Sequence, residues 1–340
     1  MKDFFLRKGV KLSVKTYGVT ALSFMALGLF SSLIIGLIMR TLGEQLGNYP
    51  IGPFFEDMGT LAMGLMGPAI GAAVAYGLNA PRLVLFAAIV SGAAGAELGG
   101  PAGAFIAALL STEIGKLVSK ETRVDIIVTP FVTILTGFTV ANWLGPVINS
   151  GLVQFGQLIM WATEQQPFVM GILVASLMGL ALTAPISSAA IAIMLELEGL
   201  AAGAATVGCA AQMVGFAVSS YRENGMSGLA ALGIGTSMLQ APNALKNPLI
   251  LIPPTVAGAV LAPLSTMVFF MENNAAGAGM GTSGLVGQIM TFSVMGFSGD
   301  VLLAVLLLHV AGPAVICFLV SEWMRKKNWI KLGDMKIEQG

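Results

Sequence analysis

The chain is poor in charge. Charged residues make up 10% of its 340 residues, against about 25% in an ordinary soluble domain, and hydrophobic residues make up 56%. So few charges cannot cover a surface that faces water, so much of the apolar surface must face lipid. The formal net charge is +0, and a basic face exists only at the two chain ends, which excludes nucleic acid as a partner.

Histidine and cysteine are almost absent. The single His309 cannot build a multi-histidine metal site, and Cys209 and Cys317 lie in apolar stretches, as small buried residues do. The sequence shows no nucleotide loop, catalytic-triad elbow or metal-ligand spacing. We therefore expect no metal, no cofactor and no ATP-driven pump.

Glycine, in contrast, is abundant, with 43 residues. Small residues let helix backbones approach closely in a bilayer. Many of these glycines are four apart, as in Gly67/Gly71, Gly95/Gly99/Gly103 and Gly277/Gly281. These spacings predict tight helix crossings.

Long apolar runs predict an all-α polytopic membrane protein with about eight to ten transmembrane helices, some of them broken or re-entrant. The candidate spans are 17–39, 60–78, 83–98, 101–118, 124–147, 168–195, 200–220, 249–270, 283–297 and 300–322. Segment 149–162 is predicted as a helix along an interface. The threading of residues 183–248 stays open.

The two ends carry most of the basic charge. Residues 1–16 form a predicted basic amphipathic segment, residues 17–322 the transmembrane transport domain, and residues 323–340 a basic tail. The positive-inside rule places both termini in the cytoplasm of a multi-pass cell-membrane protein. The same rule places the basic loop with Lys116 and Lys120 in the cytoplasm and loop 40–59 outside.

Prolines interrupt the apolar runs. Gly-Pro occurs five times, and further breaks lie at Pro185, Pro242 and Pro253. Broken helices at membrane depth mark the binding sites of secondary transporters, although simple loops would also carry such prolines. A faint likeness between residues 183–185 and 240–242 is compatible with an inverted repeat.

Four positions place an ionisable group within or beside apolar sequence: Glu97, Glu196, Lys246 and His309. Glu97 is either a substrate-hydroxyl acceptor at a broken helix tip or a hairpin residue at the membrane surface. Glu196 either points inward or solvates a helix end before Gly199. His309, in the last span, is a candidate for substrate or proton contact.

Two amide-rich clusters complete the candidate substrate-binding residues. Asn243, Lys246 and Asn247 share one helix face after Pro242, where they could bind a polyol or a carboxylate, or they form a solvated loop. Glu272 and Asn273 precede a glycine-rich run, which is either a ligand cradle or a loop.

The order of three stretches resembles a known family over nearly the whole chain. These stretches are GAELGGPAGAF (95–105), TAPISSAAIAIMLELEGLAAGAATVGCAAQMVGF (183–216) and MLQAPNALKNPLILIPP (238–254). They resemble the membrane subunits of sugar phosphotransferase systems (EIIC-like), including the perfringolysin-regulator type. The resemblance implies a bacterial permease, a homodimer, that moves a sugar which a separate cytoplasmic phosphocarrier subunit phosphorylates.

The chain departs from that pattern in two respects. No soluble stretch carries a Cys or His that could be a phospho-acceptor, and the Gly-Ile-Thr-Glu motif of glucose-type permeases is missing. The sequence therefore favours a transporter of a small polar solute, such as a sugar, that works by alternating access. A membrane sensor or regulator without transport is the rival interpretation, and a passive channel is a third.

Overall fold

The computed structural model describes residues 2–10, 13, 15–47 and 49–337. The predicted basic segment 1–16 and tail 323–340 therefore lie partly outside the described residues, at residues 1, 11, 12, 14 and 338–340. Helices dominate the described part of the chain. Its contacts divide it into two compact units, residues 1–151 and residues 152–340, which we call unit 1 and unit 2.

Unit 1 is built from helices that run back and forth. In chain order they are Lys2–Arg7, Lys15–Leu46, the bent pair Gly52–Gly64 and Met66–Gly77, the helical stretch Arg82–Val118, and the first part of Asp125–Thr163. The bent pair turns through 52°. Its second helix has the proline of Gly67-Pro68 in its first turn, where a missing amide hydrogen costs nothing.

Glycines bring the helices of unit 1 into close contact, as their spacing predicts. A Cβ atom on Gly36 would lie 2.8 Å from the carbonyl oxygen of Gly59, and one on Gly67 would lie 2.6 Å from the Cβ of Ala96. Gly71 lies against the backbone of Ala88. Side chains larger than hydrogen at these positions would separate the helices.

The stretch Arg82–Val118 is a hairpin of two helical arms. Gly99 (φ −146°, ψ 17°) and Gly100 (φ 57°, ψ −148°) leave helical geometry, and Gly95 lies against the backbone of Gly103. Arg82 and Ser119 line one cavity, whereas a straight helix would separate them by roughly 55 Å. The predicted segments 83–98 and 101–118 are therefore two antiparallel arms joined at a sharp tip.

Unit 2 contains shorter pieces. They are the end of Asp125–Thr163, then Pro167–Thr183, Ser188–Met194, Gly199–Ser219, Tyr221–Ala230, Ala231–Gly235, Ser237–Gln240, Ala241–Lys246, Pro248–Leu251, Ile252–Met267, Ala275–Ala278, Ser283–Leu285, Val286–Met295, Gly299–Val305, Leu306–Ala311 and Gly312–Lys326. The last three run on as one helix, Gly299–Lys326. Segment 149–162, predicted along an interface, continues the helix Asp125–Thr163, and its Ile159 and Ala162 are fully buried.

Helix Gly199–Ser219 is the centre of unit 2. Its buried residues are mostly alanine and glycine, so neighbouring helices pack against it on several sides. Gly208 lies against the backbone of Ala175, and Gly215 lies beside Pro254. Two interrupted stretches flank this helix: the first broken segment (residues 184–198) and the second broken segment (residues 268–298).

Six helices of the described residues are long and apolar enough to cross a membrane, or seven if the bent pair is one span. One of the six, Arg82–Val118, consists of the two arms of the hairpin, and Pro167–Thr183 and Ser283–Met295 are shorter apolar helices. The all-α polytopic fold with broken helices is thus confirmed.

Candidate functional site

The predicted site residues divide between the two units. Glu97 lies in unit 1, exposed beside the tip of the hairpin, and the other seven lie in unit 2. Among those, Glu196, Lys246 and Glu272 are exposed, whereas Asn273 and His309 are each 1% exposed.

The start of the central helix brings three of the predicted residues together. The backbone amide of Asn273 donates to the carbonyl of Gly199 at 3.2 Å, so the two broken segments meet there. Glu196 and Glu272 flank this contact in sequence, on the first and second broken segment respectively. Gly199 itself has φ +57°, which marks a sharp turn into the helix.

Asn273 is a structural anchor of the second broken segment. Its Nδ2 donates to Thr206 Oγ1 at 2.8 Å, to the Gly287 carbonyl at 3.0 Å and to Thr291 Oγ1 at 3.1 Å. Its Oδ1 accepts from the backbone amide of Asn274 at 2.8 Å. The amide group therefore ties the turn before Ala275 to the central helix and to the helix that follows.

His309 has a partner that the sequence did not indicate. Its Nδ1 lies 3.1 Å from Nε2 of Gln288, which is 7% exposed. An amide nitrogen can only donate, so Nδ1 is the acceptor and the ring proton of the neutral imidazole is on Nε2. This pair links the second broken segment to the π-helical turn Leu306–Ala311.

The His309–Gln288 pair has unused hydrogen-bonding capacity. His309 Nε2 and Gln288 Oε1 are both buried, and neither has a hydrogen-bond partner among the described residues. His309 Nε2–H is a donor, and Gln288 Oε1 is an acceptor. Buried polar atoms of this kind are rare in folded proteins.

Hydroxyl groups fasten the breaks to neighbouring backbone. Ser188, in the first broken segment, donates to the carbonyl of Gly279 in the second at 2.7 Å. Thr282 donates to the Gly233 carbonyl at 2.5 Å, and Ser283 donates to the Gly235 carbonyl at 2.8 Å. These anchoring contacts are not evident from the sequence, because a serine or threonine in an apolar run gives no sign of its distant partner.

A second buried polar network lies at the end of Pro167–Thr183. Thr183 Oγ1 donates to Gln212 Oε1 at 3.1 Å and lies 2.8 Å from Ser237 Oγ. Gln212 Nε2 donates to Thr255 Oγ1 at 3.0 Å. Gln212 therefore holds helices together, since its amide oxygen and nitrogen are both paired.

Asn243 and Asn247 contact the tail strap (residues 327–337). Asn243 Nδ2 donates to Gln240 Oε1 at 2.8 Å and to the Lys336 carbonyl at 2.9 Å. Asn247 Nδ2 donates to the Trp329 carbonyl at 3.0 Å and to the Asp334 carboxylate at 2.8 Å. These amides are therefore occupied by the chain's own tail, and their role in substrate binding stays a prediction.

The described residues contain no group of three or more His, Cys, Asp or Glu side chains that could hold a metal ion. The two cysteines are buried and unpaired with each other.

Comparison with known proteins gives one result. Residues 19–337 match the family described as "Phosphotransferase system, EIIC". No curated protein matches the chain, and no solved structure does. The perfringolysin-regulator type stays a prediction, because the matching family is broader. Since the match covers nearly all of the chain, the protein belongs to the EIIC family of phosphotransferase-system membrane subunits.

Proposed function

We propose that the chain is a permease that moves a sugar across the cell membrane by alternating access, and that separate cytoplasmic phosphocarrier subunits phosphorylate the sugar. Membership of the EIIC family supports the substrate class. The two broken segments that meet beside the central helix support a binding site in unit 2.

The observation that carries this proposal is the His309–Gln288 pair. A sugar hydroxyl donates and accepts at once. Sugar hydroxyls can accept from His309 Nε2–H and donate to Gln288 Oε1, the two unpartnered atoms. An apolar ligand would leave both atoms without a hydrogen-bond partner. A cation would be repelled by the partly positive N–H of the imidazole.

Glu196 and Glu272 have a supporting role in the proposal. They lie exposed near the contact between Gly199 and Asn273, where the two broken segments meet. Carboxylates accept hydrogen bonds from sugar hydroxyls. We propose that they receive the sugar before it reaches the buried pair.

Contacts within unit 1 support the proposed topology. Lys8 of the N-terminal segment contacts Glu121 and donates to the Ser119 carbonyl at 2.5 Å. Both partners lie in the basic loop that was predicted to be cytoplasmic. The two predicted cytoplasmic regions thus share one end of unit 1, which we call the base end. We propose that this end faces the cytoplasm and that the protein works as a homodimer.

The test separates binding from folding. The double variant His309→Leu/Gln288→Leu removes both unpartnered atoms together with their mutual contact, so its thermal midpoint should stay close to that of the wild type. Sugar binding, measured as a rise in midpoint across a panel of sugars, should disappear. Asn273→Ala is the matched control, because it should lower the midpoint without touching the proposed ligand-binding atoms.

Uptake distinguishes the transporter from the sensor. In proteoliposomes the wild type should take up the sugar that raises its midpoint, and the double variant should not. Undiminished sugar binding by the double variant would overturn the site. Sugar binding without uptake, with phosphocarrier subunits enclosed, would overturn transport and favour a sensor.

A further inference from the structure

Glu113 and Lys116 form a buried ion pair near the base end of unit 1. Their side chains are 10% and 2% exposed, and Lys116 Nζ lies 3.0 Å from Glu113 Oε1. Both residues lie on the second arm of the hairpin, one helical turn apart. Lys116 Nζ also donates to the carbonyl of Gly9 at 3.0 Å. One ammonium group thus joins the hairpin to the N-terminal segment (residues 2–10).

The carboxyl group of Glu113 is only half satisfied. Its Oε2 is buried and has no hydrogen-bond partner among the described residues. The hydroxyl of Tyr17, which is also buried, lies beside this carboxyl group. Among the described residues, the titratable groups that face Glu113 are Lys116, from its own arm, and Tyr17, from the helix Lys15–Leu46.

The carboxyl group of Glu113 is near the base end of its arm. The arm ends at Val118, which is roughly 7 Å of helix beyond Glu113. Burial of an ionised carboxyl group is unfavourable, and a bound proton removes that penalty. A proton can therefore bind at Oε2 of Glu113.

We propose that Glu113 is a proton-binding site and that its protonation releases the N-terminal segment from the base end. A proton taken from water makes Glu113 neutral and leaves Lys116 a buried cation without a counter-ion. Such a cation is strongly disfavoured. The Lys116 ammonium then moves into water, and its hydrogen bond to the Gly9 carbonyl is lost. The proposal is independent of the substrate assigned above.

The N-terminal segment keeps some contacts at the surface after release. Lys8 still reaches Glu121 and the Ser119 carbonyl, and Arg7 lies 3.8 Å from Glu121. The contact of Arg7 is exposed and contributes little, whereas the Lys8 side chain is only 10% exposed and keeps the segment attached. The segment therefore becomes mobile without being detached.

Infrared difference spectra of the full chain in lipid nanodiscs test proton binding directly. Between about pH 8 and about pH 5, the wild type should gain an absorption band of a protonated, buried carboxylic acid. Glu113→Gln should lose this band, and Glu121→Gln, the matched control on an exposed carboxyl group, should keep it. A wild-type spectrum without such a band, or a band unchanged in Glu113→Gln, would overturn the proposal.

A nitroxide spin label on Arg7→Cys tests release. Arg7 is exposed, so the label does not disturb packing, and Cys209 and Cys317 are buried. The mobile fraction should rise several-fold over the same pH range in the wild type and in Glu121→Gln. In Glu113→Gln, and in the neutral pair Glu113→Gln/Lys116→Met, it should not change with pH. A wild-type label whose mobility is independent of pH would contradict the proposed release.

Discussion

Asn224 holds the backbone at Met335 with both atoms of its amide group. Nδ2 donates to the Met335 carbonyl at 2.8 Å, and Oδ1 accepts from the amide of Ile337 at 2.9 Å. Glu223 accepts from the Met335 amide at 2.8 Å. These side chains pair with the tail strap as a neighbouring β-strand would. The side chain of Met335 is fully buried.

Loss of this pairing should destabilise unit 2. Asn224→Ala with Gln240→Ala removes two donors to the Met335 carbonyl and an acceptor for Ile337. We expect the free energy of unfolding to fall by about 2 kcal/mol, measured as a lower thermal midpoint. Lys331→Ala, on the exposed side of the strap, should leave the midpoint unchanged. An unchanged midpoint in the double variant would show that the strap does not stabilise the unit.

Asn273→Ala should be among the more damaging single changes in unit 2. It removes the amide group that donates to Thr206 Oγ1, the Gly287 carbonyl and Thr291 Oγ1. Each of these buried oxygens then lacks one hydrogen-bond partner. We expect a loss of about 3 kcal/mol, measured by thermal unfolding. Glu272→Gln, next to it and exposed, is the control and should have no effect on stability. Equal midpoints for the two variants would disprove the anchoring role of Asn273.

Gly100→Ala should strain the tip of the hairpin. With φ 57° and ψ −148°, Gly100 occupies a backbone region that is essentially restricted to glycine. No atom lies within 4 Å of a Cβ placed there, so the cost comes from the backbone alone. We expect a loss of about 2 kcal/mol. Gly99→Ala, with φ −146° and its nearest contact at 3.6 Å, should be tolerated, and similar midpoints would refute the strain.

The contact between Lys8 and Glu121 should stabilise the fold only above acidic pH. A hydrogen bond from Lys8, together with the charges of Lys8 and Arg7, holds the pKa of Glu121 below its usual range. Because the folded-state pKa is lowered, the stabilisation is complete above the ordinary glutamate pKa and is lost as pH falls through the folded-state value. Glu121→Gln should therefore lower the thermal midpoint slightly at neutral pH.

The difference between Glu121→Gln and the wild type should disappear in acid, once the pH is below the lowered folded-state pKa of Glu121. It should also shrink when salt is added, because the carboxyl group of Glu121 is exposed. A difference that grows as the pH falls would contradict the assigned direction of the pKa shift.

Much of the helical fold follows from the sequence, because apolar runs and their interruptions are local features. The two arms of the hairpin were predicted at 83–98 and 101–118, and Gly99-Gly100-Pro101 marks the turn. The sequence does not predict that the tail strap packs against Glu223 and Gln240. The partners of Met335 lie about a hundred residues away, at positions such as Glu223 and Gln240, so no local pattern records them.

The candidate site was only half predictable for the same reason. His309 is conspicuous as a lone histidine in a span, whereas Gln288 becomes significant only beside it. Lys116 was assigned to a basic loop because it lies close to Lys120 and Arg123 in sequence. The structure instead buries its ammonium against Glu113 and Gly9, since the N-terminal segment covers it.

The length of the hairpin has a consequence for the lipid around it. Each arm, of 17 or 18 residues, rises roughly 26 Å, which is less than the roughly 30 Å thickness of the hydrocarbon layer. The neighbouring helix Lys15–Leu46 is far longer. A span shorter than the hydrocarbon layer is accommodated by local thinning of the bilayer, by snorkelling of flanking side chains or by association with other helices, each at a modest cost. Membrane composition therefore becomes a variable in any measurement of the stability of unit 1.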